Sequence, residues 1–154
     1  MVKYILLLSI AISVGCNNSN SSDDNTEQVK RSEFLRQPID SAYNVAFLIM
    51  NGVYNTELTA PFDIFQHTIF REGIKPMNTF LVAKTREPIV SFEGIKILPD
   101  FDYTTDSIPI IDILVVPSAA HHLDTDLEDT RMLDWLKEMS SQASFVTSHC
   151  DGAF

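Results

Sequence analysis

Residues 44–50 read NVAFLIM, an unbroken apolar run bounded by Tyr43 before it and by Asn51-Gly52 after it. A strand with one wet face alternates apolar and polar residues. A run without alternation is the pattern of a strand covered on both faces, as in parallel sheets. Asn51-Gly52 then marks a loop, and the next apolar positions, Leu58, Phe62, Phe65 and Ile69, recur every three or four residues. That spacing predicts a helix from Thr56 to Phe70 with one buried stripe. Asn55 or Thr56 is suited to cap its free N–H groups. Pro61 lacks the N–H that would bond the Glu57 carbonyl, so a kink or tight first turns are expected.

The same reading extends along the chain. Asn78 to Lys84 (NTFLVAK) is a second strand, and Ile89–Ser91 with Ile95–Pro99 is a short hairpin around Glu93-Gly94. Asp112 to Pro117 (DILVVP) is another fully apolar strand. Asp129 to Ser140 is an amphipathic helix whose stripe is Met132, Leu133, Trp135, Leu136 and Met139. Ala143 to Ser148 is the last strand and runs into His149-Cys150-Asp151-Gly152-Ala153-Phe154. Strands alternating with helices imply an α/β domain, a mostly parallel sheet flanked by helices. The sequence holds no internal repeat and no glycine-rich phosphate loop.

Before this domain the chain has a different character. Lys3, an apolar run from Tyr4 to Val14 and Gly15 ahead of Cys16 describe a secretory signal. The run is too short for a permanent membrane span. Cys16 directly after Ser13-Val14-Gly15 resembles a bacterial lipoprotein signal, in which residues 1–15 are removed and the Cys becomes the lipidated first residue. A larger aliphatic residue is usual where Ser13 stands. Residues 17–29, NNSNSSDDNTEQV, cannot bury enough apolar surface to offset ordering entropy. The stretch 16–42 therefore reads as a tether, and 43–154 as the folded domain.

Composition narrows the function classes. The chain has 154 residues, 45% of them hydrophobic, and 11 basic against 21 acidic groups, net −10. Nucleic-acid binding requires clustered Lys and Arg, which are absent, so no nucleic-acid partner is expected. Cys16 and Cys150 are too few for a disulfide framework.

A strand followed by His149-Cys150-Asp151-Gly152-Ala153 has the form of a nucleophile elbow, where a reactive side chain sits on a sharp strand-to-helix turn. The positive end of a following helix favours the thiolate, the reactive form. Three segments carry a wider resemblance: NVAFLIMNGVYNTELTAPFDIF (44–65), DILVVPSAA (112–120) and FVTSHCDGAF (145–154). In this order they resemble the ThiJ/PfpI family, which includes the parkinsonism-associated DJ protein and has the class I glutamine amidotransferase-like fold, with flavodoxin-like layering. The acidic residue followed by Leu-Thr-Ala-Pro is similar to the isonitrile hydratase and regulator-like branch.

The resemblance implies that Cys150 is the nucleophile and that Glu57 is its acidic partner. Protonated, Glu57 donates to the thiolate; ionised, it serves as general base. It implies oxyanion donors at the backbone N–H of Asp151 and in the turn Ser118-Ala119, where the family has Gly-Gly. Asp151 stands where better-known members have a small residue or His. Family members continue past the elbow through a helix and further elements, often with a catalytic His, so the domain reads as incomplete after Phe154. A homodimer is implied for the complete protein.

The four histidines are assigned lesser parts. Strand alternation points His149 away from the face of Cys150. His121 and His122 follow the strand 112–117, on a solvated loop at the sheet's active edge, and His67 lies on a helix surface. No third ligand joins the adjacent pair, so no metal and no cofactor are expected.

The function expected is a membrane-anchored, exported, cysteine-dependent hydratase or hydrolase of a small carbon–nitrogen molecule. The alternatives are a non-enzymatic redox or ligand sensor using Cys150, and a regulator-type domain, which the export signal and acidity oppose. If Cys16 is the lipidated residue, labelled palmitate is incorporated into the protein and it partitions with membranes. Cys16→Ala then loses the label, read by fluorography of membrane and soluble fractions.

Overall fold

A computed structural model of the chain describes residues 38–121 and 123–154. The signal, Cys16 and residues 17–37 lie outside the described residues, as does His122. The described residues form seven strands: β1 (Tyr43–Leu48), β2 (Met77–Ala83), β3 (Ile89–Val90), β4 (Lys96–Ile97), β5 (Phe101–Asp102), β6 (Ile113–Val116) and β7 (Phe145–Ser148). The α-helices are α1 (Asn55–Gln66) and α2 (Thr130–Gln142), and 3-10 turns cover His67–Phe70, Thr125–Glu128 and Cys150–Ala153. Five strands form one sheet in the order β5-β2-β1-β6-β7, and all its pairings are parallel. β3 and β4 form a separate antiparallel hairpin. The expected α/β architecture is thus present.

The unbroken apolar run of β1 follows from burial on two sides. Val45, Phe47 and Ile49 enter one core with Leu58, Val53, Ile113 and Val115, against which Phe62 and Phe65 of α1 pack. Ala46 and Leu48 enter the other core with Phe80, Val82, Leu114 and, from α2, Met132 and Trp135. Phe47 lies in tilted contact with the Phe62 ring at 5.3 Å. Trp135 stacks on Tyr103 at 5.0 Å, and burial pushes the Tyr103 phenol above its ordinary range. By contrast, β7 is exposed along its length, including Phe145 and Val146.

Several expectations are corrected. Neither Asn55 nor Thr56 caps α1. Tyr54 holds the cap position without a side-chain bond, and the hairpin's Glu93 Oε2 accepts from Asn55 N at 3.1 Å. The helix runs unbroken through Pro61, and the tightening comes at its end, in the 3-10 turn His67–Phe70. β5 was not expected: it is two residues long and pairs Phe101 with Val82. The 3-10 turn Thr125–Glu128 also carries no apolar period to announce it. Ile39, inside the stretch read as tether, exchanges two hydrogen bonds with Asn78 (2.9 and 3.1 Å). Among the described residues no helix is long and apolar enough to cross a membrane.

α2 is held at its start by Asp129. Its Oδ1 accepts from Met132 N at 3.2 Å, and its Oδ2 accepts from Lys84 Nζ at 2.6 Å. The Lys84 bond, followed by the cap bond, holds the Asp129 carboxyl below its ordinary value of 3.8. A carboxyl lowered on folding adds stability above its unfolded value and loses it as pH falls through the folded one. Asp129→Ala should therefore cost about 1 kcal/mol at neutral pH, the usual loss for a removed cap. That cost should shrink below about pH 4, read by urea titrations at the two pH values.

Candidate functional site

The loops that leave the carboxyl ends of β1, β6 and β7 meet at one edge of the sheet. In open α/β sheets that edge, where strand order reverses, is where ligands bind. Here β1 is the point of reversal, since the chain goes to β2 on one side and to β6 on the other.

The loop after β1 is tied on both sides. Gly52 N donates to Val90 O (2.8 Å) and Phe92 N donates to Val53 O (3.0 Å), joining it to the hairpin. Tyr54 N donates to Ser118 O (3.1 Å) and Ala120 N donates to Gly52 O (3.0 Å), joining it to the loop after β6. Gly52 sits at φ +83°, and a Cβ there would come 3.2 Å from the Ala120 Cβ. This double stitching fixes the start of α1, where Glu57 stands in the first turn.

Cys150 has the backbone of an elbow. Its φ is +50°, one of two positive values among the described non-glycine residues, and its thiol is free and exposed. The segment is pinned to the neighbouring strand by His149 N donating to Val116 O at 3.0 Å. Gly152 then lies so close to β6 that a Cβ would fall 2.2 Å from Val116 O. Only glycine fits there, which is the reason for the Cys-x-Gly spacing.

The sequence-derived residues divide as follows. Glu57 reaches the elbow: its Oε2 lies 3.4 Å from Nδ1 of His149, the residue joined to Cys150. That oxygen is buried without a hydrogen-bond partner among the described residues, because the close approach lacks hydrogen-bond alignment. His149 is thus the neighbour of Glu57 that sequence reasoning does not supply. Alternation directed attention away from it, and no local signal announces a contact with α1. Ser118 is fully buried with its Oγ unpartnered among the described residues. The backbone N–H groups of Asp151, Ser118 and Ala119 find no acceptor among the described residues. His121 is largely exposed and pairs with Asp124 at 3.3 Å. It also borders a cleft of about 340 Å³ that is lined by the end of β1 and the residues after it (Leu48 to Asn51), Lys84, Tyr103, Asp126 and Asp129. His67 lies on the surface of the chain beside Asp63. Among the described residues no three His, Cys, Asp or Glu side chains gather to hold a metal.

Comparison with known proteins bears on this geometry. The model of the DJ-1/PfpI family matches residues 43–154. Isonitrile hydratase of Pseudomonas putida is 29% identical over 112 residues, which are 73% of this chain and 45% of that protein. The chain therefore spans less than half the length of this relative. A ThiJ/PfpI family protein from Pseudomonas syringae superposes with a TM-score of 0.58 at 23% identity, over 73% of this chain and 43% of the other. Drosophila melanogaster DJ-1beta superposes with a TM-score of 0.57 at 14% identity, over 73% of this chain and 57% of the other. The two structural likenesses establish a shared fold.

The packing of Gly152 gives a direct test of the elbow. Gly152→Ala should lower stability by about 1–3 kcal/mol, the usual cost of overpacking a site that cannot yield. Urea unfolding reads the loss, and an unchanged midpoint would mean that the elbow does not press on β6.

Proposed function

The chain belongs to the DJ-1/PfpI family, and from that premise we propose that it carries the nucleophile and the proton-handling residue of a cysteine-dependent hydratase or hydrolase of small carbon–nitrogen compounds. The observation that carries the reading is the backbone of Cys150, an accessible thiol at φ +50° between a strand end and a turn. Backbone strain of this kind costs on the order of 1–3 kcal/mol and clusters at active sites. The likeness to an isonitrile hydratase supports the substrate class.

On an isonitrile the chemistry would run through one covalent adduct. The Cys150 thiolate adds to the terminal carbon, and that carbon takes a proton to give a thioimidate. Water adds across the C=N bond, and the tetrahedral adduct expels the thiolate, leaving an N-substituted formamide. Glu57, as general acid and base, delivers the first proton and accepts one from the water. The N–H groups of Asp151, Ser118 and Ala119 are the donors for charge that develops in the adduct. The scheme uses no cofactor. The lipoprotein reading of Cys16 would hold this domain outside the cytoplasm at a membrane surface, and relatives of this kind suggest a homodimer.

A redox sensor is the second reading. It is favoured by Ser118-Ala119 standing in place of two glycines. An accessible elbow thiol oxidises to sulfenic or sulfinic acid. The two readings separate on a panel of isonitriles, nitriles and amides. Cys150→Ala should abolish turnover, and Glu57→Gln should lower kcat by about 10²–10⁴-fold, the usual share of general acid–base catalysis. Turnover retained by Cys150→Ala would sink the enzymatic reading. No turnover by the parent protein, with selective oxidation of Cys150 by mild peroxide in mass spectra, would favour the sensor.

A further inference from the structure

His149 is one residue before the nucleophile, yet its side chain is engaged with a different element. The strand pattern ends there: Ser148 is the last residue of β7, and the chain turns to φ +50° at Cys150. His149 keeps an extended backbone (φ −124°, ψ 127°), and from it the imidazole extends to α1. Its Nδ1 is 3.4 Å from Glu57 Oε2. The Glu57 side chain is 22% exposed and the His149 side chain 57%, so the carboxyl group is the more buried partner of the contact. A buried carboxylate oxygen with no donor is costly. Among the described residues the imidazole of His149 is the side-chain N–H group that approaches it.

The other charged groups nearby are already committed or sit on the same segment. Glu93 is held at the Asn55 N–H, Asp63 pairs with His67, and Asp151 and Cys150 follow His149 in the chain. A small rotation of either side chain would align Nδ1–H with Oε2 and complete a charge-assisted hydrogen bond.

We propose that His149 is a positioning residue for Glu57. Its Nδ1–H holds Oε2, leaving Oε1 for proton transfer at the elbow. The inference deepens the reading of Glu57 as the proton-handling partner of Cys150 and rests on it. Without that donor the carboxylate is left unbonded near the elbow, and a like charge disfavours the thiolate.

Iodoacetamide alkylation of Cys150 in the full chain tests this without any substrate. Peptide mass spectrometry separates Cys150 from Cys16. At pH 7, His149→Ala should slow alkylation by about fivefold, a coupling typical of residues in contact. His149→Phe, which keeps a ring without a donor, should slow it equally and serves if the Ala variant does not fold. His149→Asn carries an amide N–H near the place of Nδ1 and should stay within about twofold of the parent rate. In the Glu57→Gln background, His149→Ala should change the rate by less than about twofold, as expected when the partner is already gone. A parent-like rate in the Ala and Phe variants, an Asn variant as slow as Ala, or the full fivefold effect persisting beside Glu57→Gln would overturn the proposal. The outcome is separable from that of the hydratase reading. A chain that turns over nothing can still display the coupling, and an enzyme that depends on Cys150 can lack it.

Discussion

β1 has neither a free edge nor a free face. β2 and β6 hydrogen-bond to its two sides, and its side chains divide between two cores, one closed by α1 and the other by α2. Burial on this scale is the dominant favourable term in folding. It also sets the geometry of everything that leaves the strand. The loop at the end of β1 has a rigid origin, and the loop at the end of β6 starts from the strand beside it. The residues that chemistry would need are placed by these two exits and by β7, the next strand outward.

The elbow adds a local constraint on top of that frame. Its two devices oppose each other. A positive φ at Cys150 costs energy, while the bond from His149 N to Val116 O and the close seating of Gly152 on the same carbonyl hold the turn in place. The strained residue is thus flanked on both sides by contacts to one peptide of β6. A reactive side chain gains orientation from this arrangement because its backbone has no comfortable alternative nearby.

What was legible in the sequence follows from physics of different range. The runs 44–50 and 112–117 announced buried parallel strands because burial on two faces erases polar alternation. Trp135 and Met132 were legible through helical period, and Cys150 and Gly152 through the spacing an elbow needs. β5 was not legible, since two residues carry no period and Phe101 with Asp102 is held by its partner Val82 and its neighbours. The cap of α1 was misread for a related reason: Asn55 looks like a capping residue, but its N–H is satisfied from the hairpin by Glu93. The contact of His149 with Glu57 is likewise tertiary. Alternation gives the face of a strand residue, and it carries no information about which helix side chain meets it.

The stitched loop between β1 and α1 carries a mechanical consequence. Asn51 to Tyr54 is clamped between the hairpin and the loop after β6, and Glu93 at the hairpin tip grips the first N–H of the helix that bears Glu57. The hairpin is small, exposed at its tip and outside the main sheet. It therefore joins a solvent-exposed turn to the start of α1, since Glu93, next to Gly94, holds the Asn55 N–H. Substitutions that retune the pocket need not fall within it. They can fall at the exposed turn of the hairpin, at Glu93 and Gly94, because Ile89 and Ile97 on its strands belong to the core that α1 closes.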